Sequence, residues 1–195
     1  MDKKEITAFF DSLADSWDAE TVKVQWKIDK ILDAADITDN KTVLDVACGT
    51  GVLIPDYLSR KIKRCVAVDI SRNMVEIAKS KFSEYKNVDF LCADAENFEF
   101  NEKFDSIVIY NAFPHFSNRK LLFENLSGCL NDNGRITIAH GMSRKALEVH
   151  HSGIAKKVST VLPETDEMAD IMKPYFDIDI KISTDEIYIV SGEKY

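Results

Sequence analysis

Residues Val43 to Gly51 read V-L-D-V-A-C-G-T-G, an apolar run entering a glycine turn, and the next apolar run, Cys65-Val66-Ala67-Val68, ends in Asp69. A strand feeding Gly-x-Gly lets backbone pass close under a ligand, because glycine has no Cβ and tolerates positive φ. The acid at the end of the following strand can accept both hydroxyls of a ribose. Together they describe a pocket for an adenosine-containing cofactor at the carboxyl edge of a parallel sheet. A dinucleotide fingerprint would need a third glycine where Ile54 stands, and no G-K-[ST] follows, as a triphosphate cradle requires.

The rest of the chain repeats the alternation that such a sheet needs. Apolar periodicity predicts helices over about 3–13 and 22–35, then strands over 42–47, 65–69, 88–92, 105–110 and 135–140 with helices over 52–60, 72–82 and 118–130 between them. Ser71 and Ser117 are the expected helix N-caps. Strand-helix alternation requires parallel pairing with right-handed crossovers. The segments 177–183 and 186–191 alternate apolar with polar across Thr184-Asp185, which predicts a hairpin and one strand running against the others. A length of 195 residues with 45% hydrophobic and 30% charged positions suits one domain, 1–195, with a substantial core.

Asp45, Gly49, Gly51 and Asp69, with Asp94 in Phe90-Leu91-Cys92-Ala93-Asp94-Ala95, form an ordered set that resembles the class I S-adenosylmethionine-dependent methyltransferases, in their small-molecule branch. The resemblance implies an α/β, Rossmann-like, doubly wound sheet of seven mostly parallel strands with a C-terminal antiparallel hairpin, and S-adenosyl-L-methionine as cofactor. It implies that Asp45 organises the turn and the amino-acid end of the cofactor. Ala47, Cys48, Gly49 and Gly51 would supply close backbone, and Asp69 with the adjoining Ile70 would hold the ribose. Asp94 would accept from the adenine amino group, and Ala95 would offer its amide to the ring. Asn111 would stand where the strand over 105–110 opens toward the methyl group and the substrate. Ala47 departs from the pattern, since many relatives have glycine there.

Substrate contacts are expected from two regions. Phe9-Phe10-Asp11 through Trp17-Asp18, within the N-terminal helices of residues 1–35, has two readings: a cover that closes the pocket through Phe10 and Trp17, or a helix simply docked on the core. Tyr110 ends the fourth strand and Phe113 lies just beyond it. All four histidines, His115, His140, His150 and His151, also follow that strand. His115 is the first choice for a general base and His140 the second, with His150 or His151, about 100° apart on a helix starting near Ser143, turned toward the substrate. Their convergence on a transition metal is the alternative, but H-x-x-x-H and H-E-x-x-H are absent and no resident metal is expected.

The function these residues imply is methyl transfer to a small molecule by in-line displacement. A nicotinamide oxidoreductase and a non-catalytic sensor of the cofactor or of a metal are the alternatives. A net charge of -8 argues against nucleic acid as a partner, and the basic run Arg60-Lys61-Ile62-Lys63-Arg64 reads as a solvated helix end. No apolar run approaches the roughly 20 residues that span a bilayer, and Met1 to Glu5 lack a signal core, so a cytoplasmic location is expected. Cys48, Cys65, Cys92 and Cys129 show no C-x-x-C spacing and read as small buried hydrophobes. No pattern bears on oligomeric state.

Overall fold

The computed structural model describes residues 1–149 in full, the backbone of His150, and residues 157–195. Two helices, α1 (Lys3–Glu20) and α2 (Gln25–Ala34), precede β1 (Thr42–Val46), α3 (Ile54–Ser59), β2 (Arg64–Asp69), α4 (Arg72–Lys81) and β3 (Val88–Cys92). β4 (Phe104–Tyr110), a 3-10 turn over Phe113–His115, α5 (Arg119–Gly128) and β5 (Leu130–His140) follow. The chain then forms α6 (Arg144–His150), α7 (Thr165–Met172), β6 (Phe176–Ser183) and β7 (Tyr188–Lys194). The strands make one sheet in the order β3-β2-β1-β4-β5-β7-β6, parallel except where β7 pairs antiparallel with β5 and β6. This is the α/β, doubly wound architecture with a terminal hairpin that the sequence implies.

The central strands are apolar on both faces because helices cover both. On β1, Leu44 and Val46 join the core cluster that includes Leu122, Phe123 and Leu126 of α5 and Met168 and Met172 of α7. Val43, on the opposite face, packs with Ile28, Ile31 and Leu32 of α2 and with Tyr57 of α3. Sheet order reverses between β1 and β4, where the connections leave toward opposite sides, and a crevice opens at the carboxyl ends of these strands.

Several boundaries differ from expectation. α1 runs to Glu20 rather than stopping near Leu13, because no glycine or proline interrupts it and Ile6, Phe10, Ala14 and Trp17 continue one helical stripe. β5 begins at Leu130 rather than 135, its register with β4 shifting between Phe104 and Ser106. Ser71 caps α4 by accepting from the Met74 amide, as expected, but α5 is capped by Asn118, whose Oδ1 accepts from the Leu121 amide, and not by Ser117. Of the cysteines, Cys48, Cys65 and Cys129 are buried and Cys92 is exposed; all four are free thiols. In the basic run, Arg60 pairs with Asp33 and Arg64 with Asp89 and Glu102, while Lys61 and Lys63 are exposed. No helix among the described residues is long and apolar enough to cross a membrane.

Candidate active site

The turn after β1 is shaped by three consecutive odd positions in the left-handed region: Ala47 (φ 58°), Gly49 (φ 55°) and Gly51 (φ 85°). Gly51 is required on two counts, since a Cβ there would lie 2.7 Å from Phe82 Cε2 on a backbone that side chains rarely adopt. Ala47 adopts the same region with a Cβ, at a cost of roughly 1–2 kcal/mol. Asp69 stitches the turn in place, its Oδ2 accepting from the Gly49 amide at 2.8 Å and its Oδ1 from the Ser71 amide at 2.8 Å. Burial raises the Asp69 carboxyl against the pull of these amides.

Asp45 lies beneath the turn, fully enclosed, with Oδ2 making no hydrogen bond. Burial, reinforced by the Asp69 charge, raises its pKa to about 7, the Tyr57 hydroxyl working in the other direction. Burial likewise pushes the Cys48 thiol well above its ordinary value, as for a packed thiol.

A cavity of about 440 Å³ opens above this turn. Ala47, Cys48, Gly49, Asp69, Ile70, Asp94, Ala95, Tyr110, Asn111, His115, Phe10 and Trp17 all line it, so most of the residues singled out in the sequence converge on one space. Asp94 begins the loop after β3: its Oδ1 accepts from the Glu96 amide at 3.1 Å and its Oδ2 from Asn97 Nδ2 at 2.6 Å. Asn111 leaves β4 at φ 54°, and its Oδ1 accepts from the Gly141 amide at 2.9 Å, tying the ends of β4 and β5 together. A Cβ on Gly141 would stand 2.6 Å from the Tyr110 hydroxyl, so the glycine makes room for that ring at the cavity wall.

His115 is half-buried on the substrate side, with Phe10 packed edge-on at 4.9 Å between ring centroids. Its Nδ1 donates to the Val158 carbonyl at 2.8 Å, which assigns the basic lone pair of the neutral ring to Nε2. Burial lowers its pKa below 6.5, outweighing the Val158 carbonyl, and the imidazole is neutral at pH 7.

Two expectations are corrected. His140 is fully buried at the end of β5, edge-on to Tyr188 at 6.1 Å, and is not part of the cavity wall. Phe113 is fully buried in the core, stacked on Phe123 at 5.8 Å, because its 3-10 turn points it down into the α5 side of the sheet. The side chain of His150 and the whole of His151 lie outside the described residues. Among the described residues no cluster of three or more His, Cys, Asp or Glu could hold a metal ion.

The sequence also missed wall residues. Lys3 reaches the cavity from α1 and pairs with both Asp94 and Glu96, the latter at 2.6 Å. Glu96, 2% exposed, also accepts from the Asn118 amide at 2.8 Å and the Ser117 hydroxyl at 3.3 Å. Met142, Phe116 and Val52 complete the apolar wall. No local pattern marks these positions, since a turn acid and an N-terminal lysine are ordinarily solvated.

Comparison with known proteins agrees with this geometry. Residues 43–134 match the methyltransferase domain family. A malonyl-[acyl-carrier protein] O-methyltransferase from Acetivibrio thermocellus is 34% identical over 157 residues, 78% of this chain and 54% of that protein. The (S)-coclaurine N-methyltransferase of Papaver somniferum is 30% identical over 131 residues, 65% of this chain and 37% of that protein. The chain thus spans about half the length, or less, of these relatives. In fold, the crystal structure of magnesium protoporphyrin IX methyltransferase from Synechocystis PCC 6803 with bound SAH aligns at a TM-score of 0.76 over 100% of both chains, at 19% identity. The match over residues 43–134, together with the relatives and the fold, supports a class I S-adenosylmethionine-dependent methyltransferase.

Proposed function

We propose that the protein transfers a methyl group from S-adenosyl-L-methionine to a small-molecule acceptor by in-line displacement. The observation that carries this reading is the convergence of Asp69, Asp94 and the glycine turn on one cavity whose opposite wall is aromatic and holds a neutral histidine. The residues fit the cofactor: Gly49 leaves an open cradle, the nearest heavy atom to a Cβ there being Trp17 Nε1 at 3.6 Å, and a buried Asp45 oxygen is unsatisfied beneath it. Asp69 and Ile70 would hold the ribose, Asp94 and Ala95 the adenine, and Asp45, Ala47, Cys48, Gly51 and Asn111 the amino-acid end. The cofactor, when bound, supplies an electrophilic methyl on a sulfonium, so the chain's task is to orient a nucleophile and exclude water.

Phe10, Trp17 and Tyr110 enclose the acceptor side, and His115 Nε2 takes a proton when the acceptor must lose one. Within residues 1–35 of a single methyltransferase domain, α1 acts as the cover, while α2 packs into the core. Dispersed and paired basic residues support a partner other than nucleic acid, and four free thiols support a cytoplasmic setting.

Calorimetric titration with S-adenosylhomocysteine tests the reading. The expected result is binding that weakens at least about tenfold in Asp69→Ala, as the loss of a charge-assisted pair of hydrogen bonds would produce, with no binding of NADH. NADH binding in preference to the thioether, or affinity unchanged in a folded Asp69→Ala protein, overturns it.

A further inference from the structure

Glu96 is the most deeply buried carboxylate of the cavity wall, and the cofactor reading assigns it no role. It lies between two elements, α1 and the segment 113–118. On one side its Oε2 meets the Lys3 ammonium of α1 at 2.6 Å; on the other its Oε1 accepts from the Asn118 amide at 2.8 Å, with the Ser117 hydroxyl also within 3.3 Å. Ser117 and Asn118 lie two and three residues past His115, the last residue of the 3-10 turn. A second contact joins the same two elements, Phe10 of α1 against the His115 ring. A buried carboxylate needs a countercharge, and Lys3 supplies it only while α1 is docked. Undocking α1 would leave Glu96 to seek water, loosening its hold on Ser117 and Asn118.

We infer that Lys3 and Glu96 form a latch that couples docking of α1 over the cavity to the position of the segment carrying His115. Lys3 and Glu96 are positioning residues, acting on the site through α1 and through the 113–118 segment. The inference rests on the cofactor reading only for its functional use, so the primary test needs no ligand. Hydrogen exchange in the ligand-free protein is compared for wild type, Lys3→Met, Lys3→Arg, Glu96→Gln and the Lys3→Met/Glu96→Gln double variant, each first shown to be folded by circular dichroism. Lys3→Met should speed exchange at least about threefold in both 3–10 and 113–118, although Lys3 touches only the first. Lys3→Arg should restore protection, and the double variant should exceed the larger single change by little, as for two members of one interaction.

Faster exchange confined to α1 in Lys3→Met would overturn the coupling, and unchanged exchange in both segments would overturn the latch. Lys3 lies in the first helical turn, so its variants remain informative even where Glu96→Gln fails to fold. In a second arm, S-adenosylhomocysteine should dissociate at least about threefold faster from Lys3→Met, and the variant should lose the salt dependence of release shown by wild type. Failure of the thioether to bind any of these proteins would sink the cofactor reading and leave the exchange result standing.

Discussion

Helices α1 and α2 are neighbours in sequence, yet different forces hold them. α2 buries Ile28, Ile31, Leu32 and Ala34 within ten residues, and they merge with the core beneath β1. α1 buries only Ile6 and Ala14 within eighteen, while Phe10 and Trp17 face the cavity. Its attachment is instead a row of polar contacts: Lys3 to Asp94 and Glu96, Asp11 to the Ser71 hydroxyl at 2.5 Å, and Asp18 to the Thr50 hydroxyl at 2.5 Å and to Lys81 at 2.6 Å. Apolar burial is indifferent to salt, whereas partly exposed ion pairs are screened and individually weak. A helix fastened in that way can open without unfolding the sheet, as the cover proposed for this cavity requires.

The comparison can be broken most directly by truncation. Leu32→Ala should cost about 2–5 kcal/mol of global stability in urea titration, as fully buried leucines do, whereas Phe10→Ala should cost under about 1 kcal/mol, since its ring borders a cavity. Equal costs would mean that α1 is part of the core.

The two sides should also answer pH in opposite directions. Asp45 lies on the α2 face of β1 with a carboxyl raised to about 7 against 3.8 for the unfolded chain. The folded state therefore holds the extra proton between those values, and stability falls as pH rises through that window and levels off above it. Asp45→Asn should flatten thermal melts between pH 5 and 8, removing a slope on the order of a few kcal/mol. On α1, burial of Asp18 is outweighed by Lys81 and Thr50, and its carboxyl sits below 3.8. That contribution is present above 3.8 and is lost only as pH falls through the lower folded value, so acid should loosen α1 under conditions where Asp45 no longer titrates. Hydrogen exchange resolved by segment would check this, and α2 loosening before α1 would count against it.

Smaller effects sharpen the picture. Ala47→Gly should raise stability by about 1 kcal/mol in urea titration by relieving the left-handed alanine, partly offset by glycine's greater unfolded-state entropy. The smallest expected change is in the intact protein: raising the salt to about 1 M, where the screening length is roughly 3 Å, should speed exchange in α1 more than in α2, whose ion pairs with Arg60 only supplement its buried apolar face.

Much of this was legible from residue order. Val43 to Gly51 and the acid ending the next apolar run located the turn, because positive φ and close approach are local demands that only a few residue types meet. Alternation over 177–191 revealed the hairpin, although its connection takes 184–187, where Thr184 Oγ1 accepts from the Glu186 and Ile187 amides. Phe113 escapes the pattern because positions past the end of β4 diverge, one into the core and another into the crevice, where strand period no longer governs. His140 escapes it because it is the last residue of β5, paired with Tyr188 and turned into the sheet's covered face.

The sequence by itself determined the sheet, its helices and the carboxyl edge where a ligand would sit, since hydrophobic period and turn chemistry act over a few neighbours. Only the tertiary structure decided that Lys3 meets Asp94 and Glu96, that Glu96 is buried, and that Phe10 rests on His115. Those contacts join segments about ninety or more residues apart, and nothing local distinguishes a lysine or a glutamate bound for solvent from one that finds its partner across a cavity.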